Sequence, residues 1–506
     1  MPELSRRGSA LMESAATAPR WASWLAFFIV ALIGLAIRLP QLSARPMHTD
    51  EAVNAYIVGQ LLAKEPFIYD SQDRHGPALA ALALPMVRAQ GAKSFSDLTE
   101  SELRVVPVVA GTITILLFGA AVEMFGFIPS LLAAILFAVA PLPVYYDRYF
   151  IHESLFCAAT FGLILTGWRA SQTRSARQAA LAGVCAALML ACKETALLHF
   201  LALAAAAIVY RFTSTRVAGQ TRQGRLKTIF IAAISFLLLS TVLFTWFGRN
   251  WKALPALFHA APNLFARAAG QGHEKPFWYF GRLLIVGWSG GLLVAFACLG
   301  LFIIIRRRDA SPYRWLAYYG LLIAIIYSLI PYKTPWLALN LWLPLTLFAA
   351  SAVETLWRWS ITKFHLRVTI PAFCILAAFS GVAIAHDTRQ RVFLYPADEN
   401  NPYAYSQTSE DILGLPTEIA DLARQNGITR PRITVIAADP WPLPWYLRHF
   451  SQVGFWQPGQ QGGDADFYIT STDAADQYAD RLKGFRPEFF GVRPGVLVLL
   501  WSPAPK

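Results

Sequence analysis

Long apolar runs alternate with short polar connections over most of this chain. A run of about 20 apolar residues is long enough to cross the hydrocarbon core of a bilayer as a helix. The pattern predicts about eleven such helices. They fall at residues 21–39, 103–122, 127–144, 152–168, 178–192, 194–211, 228–247, 281–305, 313–330, 335–354 and 367–385. The fifth run is short and needs a thin bilayer or deep packing to span.

Basic residues concentrate in every second connection between these runs. Arg169, Arg211, Arg306 and Arg358 are members of four such clusters, each beside the end of a run. Loops rich in Lys and Arg stay in the cytoplasm, so residues 1–20 are predicted to form a cytoplasmic N-terminus. The first run is longer than the apolar core of a signal peptide, which favours a retained anchor. The outer face then receives loops 40–102 and 248–280, the turns 145–151 and 331–335, and everything after residue 386.

The loop 40–102 contains structure of its own. Thr49 can cap a helix whose first turn holds Asp50 and Glu51, where carboxylates suit the positive end of the helix dipole. Apolar residues then recur at helical spacing, which predicts a helix in the membrane interface. A second apolar piece, Ala78 to Val87, is too short to span.

The composition changes after residue 386. Helical patterns near 409–426, 441–449 and 473–483 alternate with strand-like segments. The predicted strands are Arg432–Ala437, Asp466–Thr470 and Gly495–Trp501. This pattern predicts a small α/β domain on the outer face. The predicted organisation is thus a cytoplasmic N-terminus (1–20), a helical membrane domain (21–385) and an extracytoplasmic α/β domain (386–506).

Composition supports a polytopic membrane protein and excludes other classes. The chain has 506 residues, of which 56% are hydrophobic and 15% are charged, against roughly 25% charged residues in soluble proteins. The net charge of +13 arises from loops beside spans and so reports topology, not nucleic-acid binding. All five cysteines lie in apolar stretches, so neither a disulfide framework nor a zinc spacing is present. No Gly-rich phosphate loop is present either.

Polar residues that could carry chemistry collect at one predicted depth, the outer membrane boundary. The first loop holds His48, Asp50, Glu51, Asp70, Asp73, Arg74 and His75; the second holds Tyr145, Tyr146, Asp147, Arg148, His152 and Glu153; two further turns are Lys193–Thr195 and Pro331–Trp336. Carboxylates can remove a proton from an acceptor hydroxyl. Cations can hold and neutralise a phosphate leaving group. A sugar-phosphate lipid meets both needs, because its headgroup lies at this depth.

Each of these groups also has an ordinary structural explanation. The two carboxylates at position 50 and 51 are typical of a helix start, and Lys193 and Lys333 can snorkel to the interface. Asp147 can form a local ion pair with Arg148. No cofactor is required by the sequence. A divalent metal held through Asp50, His75 or His152 stays open, but no dense ligand spacing supports one.

Several of these motifs together resemble the GT-C membrane glycosyltransferases. They are the Asp50-Glu51 pair, Arg74–Leu79, Glu102–Arg104 and Tyr146–Glu153. The pattern is similar to protein O-mannosyltransferases and the aminoarabinose transferase acting on lipid A. It looks most like a bacterial and archaeal branch named for association with flippase activity, through three longer strings: Pro331–Asn340, Asn401–Tyr405 and Asp439–Arg448.

The resemblance implies an inverting transfer from a polyprenyl-phosphate-linked sugar, with an acid of the first loop as base. Carried onto this chain, it makes Asp50 the base and Glu51 its support. The candidates for the donor phosphate are Arg148, Lys193, Lys333 and Tyr332, and further substrate contacts are assigned to Arg74, His75, Asp147, His152 and Glu153. The chain has His-Gly-Pro where several relatives have Lys-Pro-Pro or His-Pro-Pro. The implied location is a bacterial or archaeal cytoplasmic membrane, and the acceptor is not readable.

Two other functions compete with the enzyme. A flippase, or a protein associated with one, would move the lipid-linked sugar, but transporters usually place ionisable groups near mid-membrane, and these span interiors are almost free of charge. A binding scaffold could recognise a glycan through Trp441, Trp445 and Tyr446, although such aromatics more often form a core. The placement of charge favours the enzyme.

Overall fold

The computed structural model describes residues 20–72, 74–213, 222–268, 270, 272–306, 311–460 and 462–503. All of the predicted apolar runs fall on helices, but two of them, 127–144 and 281–305, are each divided between two helices. The longer helices are Arg20–Arg38, Thr49–Leu62, Ala78–Ala89, Glu100–Phe125, Phe127–Val139, Glu153–Thr173, Ala176–Cys192, Ala196–Thr213, Arg222–Phe244, Gly287–Arg306, Pro312–Leu329, Ala338–Lys363, Leu366–Thr388 and Leu415–Gln425. Shorter helices are Pro141–Tyr146, Ala253–Leu257, Ala260–Ala268, Tyr279–Leu284, Leu443–Tyr446 and Thr472–Ala475.

Seven helices within the described ranges are long and apolar enough to cross a membrane, which is fewer than the eleven or so that the sequence predicts. Two others that match predicted runs, Phe127–Val139 and Ala176–Cys192, are apolar but shorter. The second of these is the run expected to need a thin bilayer; its 17 residues extend only about 25 Å along the axis. The prediction of a polytopic helical membrane protein with a C-terminal α/β domain is confirmed.

The chain divides into two compact units. The first, here called the helical unit, comprises Met1–Pro40, Pro66–Ala81 and Arg104–Leu394. The second, here called the mixed unit, comprises Gln41–Glu65, Leu82–Leu103 and Tyr395–Lys506. The domain boundaries expected at residues 40, 102 and 386 follow composition alone and stay predictions.

Polar caps define where several helices of the helical unit begin. Ser175 Oγ accepts from Gln178 N at the start of Ala176–Cys192, and Ser311 caps the helix whose first residue is Pro312. These caps satisfy amide donors that lack an intrahelical partner. Proline at the first position suits a helix start because its missing N–H would be unpaired there.

The mixed unit is built on a five-stranded sheet with the order β2-β1-β3-β5-β4. The strands are β1 (Arg432–Ile436), β2 (Gln452–Trp456), β3 (Phe467–Ser471), β4 (Phe485–Arg493) and β5 (Val496–Pro503). β1 is parallel to both β2 and β3, whereas β3, β5 and β4 form an antiparallel series. The predicted strands correspond to β1, β3 and β5, which are the three inner strands.

The two edge strands, β2 and β4, were not predicted. Inner strands are buried on both faces and read as continuous apolar runs, as β1 does, with four of its five residues buried. The edge strands alternate weakly: β2 contains Gly454, and β4 contains Pro487, a residue that sheets tolerate at an edge. Because most of their residues are at least partly exposed, the sequence of these two strands lacks the apolar pattern that predicts a strand.

The helix Thr49–Leu62 of the mixed unit begins one residue earlier than expected. Its cap is His48, not Thr49: the imidazole Nδ1 accepts from Asp50 N at 3.0 Å. Glu51 completes a capping box, because its carboxylate accepts from His48 N at 3.1 Å. The expectation of a Thr49 cap is therefore wrong. Sequence preference favoured threonine, whereas the observed cap uses an imidazole lone pair.

Candidate functional site

Three segments of the helical unit bring polar side chains together around Glu194. His75 Nδ1 lies 2.9 Å from one carboxylate oxygen of Glu194, and the Tyr69 hydroxyl donates to the other at 2.8 Å. Glu194 is buried, while the His75 side chain keeps 31% of its surface exposed. The carboxylate therefore accepts from the buried side of the imidazole and fixes its orientation, and the rest of the ring faces outward.

The same contacts set the ionisation of Glu194. Burial acts to raise the pKa of this carboxyl, but the charge of His75 and the hydrogen bonds of His75 and Tyr69 lower its pKa to about 2. Glu194 is thus a carboxylate at any physiological pH. A permanent negative charge at this position favours a proton on His75 Nδ1.

Lys193 and Glu153 form a second ion pair beside this group. Lys193 Nζ is 2.5 Å from Glu153 Oε1, and both side chains are largely buried. The same ammonium lies 6.0 Å from the centre of the Trp336 ring. Lys193 ends the helix Ala176–Cys192, and Glu153 begins the helix Glu153–Thr173. The C-terminal end of the first helix and the N-terminal end of the second therefore place the two charges side by side.

His152 connects the two pairs. Its Nε2 is 3.2 Å from Gly76 O, and its ring meets the ring of His75 edge to face at 5.4 Å between centroids. Burial, together with the charges of His75 and Lys193, holds the pKa of His152 well below its usual range. His152 is accordingly neutral at physiological pH.

Gly76 explains why this chain departs from the Lys-Pro-Pro or His-Pro-Pro pattern. A Cβ at residue 76 would overlap the Ala191 carbonyl, so the loop passes directly against the end of the helix Ala176–Cys192. Only glycine permits this approach of one backbone to another. The close contact brings His75 within reach of Glu194 in the next turn.

Lys333 occupies a separate turn of the helical unit. Its ammonium donates to the carbonyls of Lys275 (3.0 Å) and Ile330, and the side chain is almost fully buried. Tyr332 pairs with Glu274 in an isolated β-bridge, which fixes this turn. Burial lowers the pKa of Lys333. Among the described residues, no carboxylate pairs with this ammonium, and two of its three N–H donors reach backbone carbonyls.

Asp147 and Arg148 have partners different from those expected. Asp147 pairs with Arg38, whose Nε lies 2.9 Å from Oδ2, and both side chains are fully buried. The predicted local pair of Asp147 with Arg148 is therefore replaced by one that spans 109 positions. Arg148 donates to the carbonyls of Arg38 (2.9 Å) and Pro40 (2.5 Å) and covers the Phe393 ring at 4.8 Å. Both residues thus connect the end of the first span to the turn after residue 146.

The mixed unit contains Asp50 and Glu51, which differ sharply from one another. Glu51 is fully buried, caps His48 and lies 3.8 Å from Arg45. Asp50 is half-buried, and within the described parts of the chain its carboxylate has no hydrogen-bond or ion-pair partner. Glu51 therefore serves the local fold, whereas the Asp50 carboxylate remains available to a ligand.

Two of the three aromatic residues considered for glycan recognition, Trp445 and Tyr446, are buried with partners inside the mixed unit, while the Trp441 ring meets the Tyr56 ring edge to face at 5.7 Å. Trp445 is fully buried, and its indole N–H donates to Glu100 at 2.8 Å. The Arg448 guanidinium stacks over the Trp445 ring at 3.8 Å. The Tyr446 hydroxyl accepts from Met47 N at 2.8 Å. The core explanation for Trp445 and Tyr446 is thus confirmed.

Sequence analysis identified most members of the helical cluster but missed several partners. His75, His152, Glu153 and Lys193 are brought together, while Arg74 lies nearby in sequence and is half-buried. Asp73 lies outside the described residues. The missed partners are Tyr69 and Arg38, whereas Glu194 and Trp336 lie in the two turns named from the sequence but had no role assigned. An arginine inside the first span was a usable signal, because intramembrane charges are paired. No group of three or more His, Cys, Asp or Glu in the described ranges could hold a metal ion.

Comparisons with known proteins agree on the fold. Residues 82–246 match the family model described as dolichyl-phosphate-mannose-protein mannosyltransferase. ArnT from Cupriavidus metallidurans, solved with bound undecaprenyl phosphate, superposes with a TM-score of 0.65 at 15% identity, over 96% of this chain and 98% of that one. No curated protein sequence matches the chain.

Two further solved structures are similar over nearly the whole chain. The oligosaccharyltransferase AglB from Archaeoglobus fulgidus, in complex with an inhibitory peptide and a dolichol-phosphate, gives a TM-score of 0.52 at 13% identity, over 96% of this chain and 74% of that one. The arabinofuranosyltransferase AftD from Mycobacteria gives 0.51 at 13% identity, over 96% and 40%. The resemblance to GT-C proteins is confirmed for the fold, and the flippase-associated branch stays a prediction: this chain is a multi-pass membrane protein with the fold of the GT-C membrane glycosyltransferases.

Proposed function

We propose that this protein transfers a sugar from a polyprenyl-phosphate-linked donor to an acceptor at the outer face of a bacterial or archaeal cytoplasmic membrane. The observation that carries the proposal is the cluster of His75, Lys193, Glu153 and Glu194, which three distant segments assemble in the helical unit. Fold neighbours that hold undecaprenyl phosphate or dolichol-phosphate support the choice of lipid.

The cations of the helical unit suit the phosphate of such a donor. The imidazole of His75 is oriented through Nδ1 and keeps its remaining edge partly exposed. Lys193 places an ammonium beside Glu153, in the same cluster as His75 and Glu194. As the bond between sugar and phosphate breaks, negative charge builds on the phosphate oxygens. Donors fixed before the reaction stabilise that charge without reorganising. We assign Lys333, Tyr332 and Arg148 to the same task in a supporting capacity.

We assign the base to Asp50 and not to Glu51. A general base needs lone pairs that are free to accept a proton. Both oxygens of Glu51 face donors of the local fold, whereas the Asp50 carboxylate has no partner in the described part of the chain. In this proposal Asp50 takes the proton of the acceptor hydroxyl. The hydroxyl oxygen then attacks the anomeric carbon, the bond to phosphate breaks, and configuration inverts.

The proposal is tested with purified protein and a panel of polyprenyl-phosphate sugars, scored by release of the polyprenyl phosphate and by sugar transfer. We expect Asp50→Asn to lower turnover by about 10²-fold or more, because a general base contributes 10²–10⁴-fold. Asp473→Asn is the matched control: Asp473 also lies in the first turn of a helix of the mixed unit. Its turnover should equal that of the wild type.

Two outcomes contradict the proposal. Substantial turnover by Asp50→Asn would exclude Asp50 as the general base and leave the assignment of the protein as a glycosyltransferase intact. Donor binding without turnover for any sugar, together with lipid movement in proteoliposomes, favours the flippase or flippase-associated alternative instead.

A further inference from the structure

A buried histidine in the first turn of the helix Ala196–Thr213 has no role in the chemistry assigned above. His199 has no exposed surface and lies in a segment long and apolar enough to cross a membrane. Its Nδ1 is 2.8 Å from the Tyr319 hydroxyl, and its Nε2 is 2.6 Å from the Tyr327 hydroxyl. Ionisable side chains inside a span are costly to bury and usually mark a functional site. His199 therefore needs an explanation beyond packing.

The two phenols hold the imidazole from opposite directions. Tyr319 and Tyr327 lie on the helix Pro312–Leu329, about 12 Å apart along its axis. Among the described residues, no carboxylate bonds to the ring, and an imidazolium would be buried there without a counter-ion. The ring is therefore neutral, with one N–H and one lone pair. One phenol donates to it and the other accepts from it, which fixes its position and its orientation.

Backbone hydrogen bonds join His199 to the turn Lys193–Thr195. His199 N donates to Thr195 O at 3.3 Å, and Ala196 N donates to Lys193 O at 3.1 Å. These bonds make the turn continuous with the first turn of the following helix. A displacement of the imidazole therefore displaces the backbone that carries Lys193.

Tyr327 is joined in a similar way to the turn Pro331–Trp336. It lies in the last turn of its helix, and the next residue after that helix, Ile330, still donates its N–H to a helical carbonyl. The Lys333 ammonium donates back to Ile330 O. The hydrogen bond from His199 to Tyr327 therefore connects the turn of Lys193 to the turn of Lys333.

The imidazole also packs against the helix that begins at Glu153. The Phe156 ring, one turn along that helix, meets it edge to face at 4.8 Å between centroids. Lys193, which pairs with Glu153, lies 6.0 Å from the centre of the Trp336 ring. One buried imidazole thus contacts the helix of Glu153, the helix that follows Lys193 and the helix that precedes the turn of Trp336.

We propose that His199 is a positioning residue for the phosphate of the lipid donor. Its hydrogen bond to Tyr327 sets the distance between the two turns, so that the ammonium groups of Lys193 and Lys333 meet one phosphate. His199 itself is buried and touches no ligand. Donors that are held in place before a charge arrives stabilise it without reorganising. The inference rests on the proposed function, which assigns both ammonium groups to the donor phosphate.

The experiment compares two ligands that differ only in the phosphate, undecaprenyl phosphate and undecaprenol. Native mass spectrometry of the purified full-length protein in detergent gives a dissociation constant for each. The ratio of the two constants, here called the phosphate preference, separates binding of the phosphate from burial of the chain. A general loss of packing weakens both ligands together and leaves this ratio unchanged.

Two substitutions of His199 separate its two hydrogen bonds. The amide of glutamine reaches about as far as Nε2 and can keep the bond to Tyr327, whereas the shorter asparagine reaches only as far as Nδ1, towards Tyr319. We expect His199→Asn to lower the phosphate preference about fivefold to tenfold, the equivalent of one hydrogen bond. His199→Gln should keep it within about twofold of the wild type. Both variants replace the ring by a smaller amide, so their packing losses are matched.

Two tyrosine variants test the same bond with His199 in place. Tyr327→Phe keeps the aromatic ring and removes only the hydroxyl, and it should lower the phosphate preference as His199→Asn does. Tyr313→Phe is the control, because the Tyr313 hydroxyl donates to Phe125 O near the other end of the same helix. Its phosphate preference should equal that of the wild type.

An unchanged phosphate preference in Tyr327→Phe would overturn the proposal and leave the network a matter of packing. Equal losses in His199→Asn and His199→Gln would also refute it, since the bond at Nε2 would then have no special part. Equal binding of the two ligands by the wild type would be a different failure: it would contradict the proposed function itself, because the protein would then have no site for the donor phosphate.

Discussion

The buried ion pair of Arg38 and Asp147 offers a direct test of whether Asp147 stabilises the fold or contacts substrate. The pair joins the end of the first span to the turn after residue 146, and both side chains have no exposed surface. Arg38 also donates to the carbonyls of Gly34, Phe137 and Ala138. We consider two single substitutions, Arg38→Met and Asp147→Asn, and their combination.

The structure sets the expected sizes of these effects. Arg38→Met leaves a buried carboxylate without its cation, which costs about 3–5 kcal/mol. Asp147→Asn keeps an oxygen that can accept from Arg38 Nε but removes the charge, so its cost is that of one charged hydrogen bond, about 1.5–3 kcal/mol. The double variant contains neither charge. Its loss should therefore be smaller than the sum of the two single losses by about 2–3 kcal/mol.

The assay is equilibrium unfolding of the four proteins in the same mixed micelles, with donor KM measured in parallel. A structural pair predicts strong coupling in the free energy of unfolding and a near-normal KM in whatever fraction stays folded. Additive losses would refute the pairing itself. A wild-type free energy of unfolding for Asp147→Asn, combined with a raised KM, would instead place Asp147 at the substrate.

Three further predictions follow from single contacts in the helical unit. The lowered pKa of Glu194 contributes about 3 kcal/mol of stability, which is present above pH 4.5 and lost as the pH falls towards 2. Melting temperatures measured at a series of pH values should show this loss in the wild type and a flatter profile in Glu194→Gln. Gly76→Ala should lower the free energy of unfolding by about 1–3 kcal/mol, because its Cβ overlaps a carbonyl, whereas Gly167→Ala, in open space on a helix, should be neutral or stabilising; equal melting temperatures would contradict the close contact. Lys333→Met should raise the donor KM about tenfold or more in steady-state kinetics, since removing a charged hydrogen bond costs about 1.5–3 kcal/mol; a change in melting temperature with an unchanged KM would assign Lys333 to stability alone.

The sequence by itself determined where the helices and the inner strands lie. An apolar run of span length can satisfy its backbone in a bilayer only as a helix or within a closed barrel, so hydropathy located helices at the predicted runs, although seven described helices and not eleven are long and apolar enough to span. β1 was predicted equally well, because it has apolar residues on both faces. The two acids in the first turn of the helix Thr49–Leu62 were predicted, because acids at a helix start follow from local rules, whereas the cap residue was not.

The tertiary structure alone decided which charges pair. Arg38 finds Asp147 and Glu194 finds His75 across more than one hundred positions, and nothing local distinguishes these partners from nearer ones such as Arg148. It also separated Asp50 from Glu51, two adjacent acids with the same sequence context, by burying one against its cap and leaving the other half-exposed. The physical reason is that periodicity acts over a few residues, whereas burial and pairing depend on where distant segments meet.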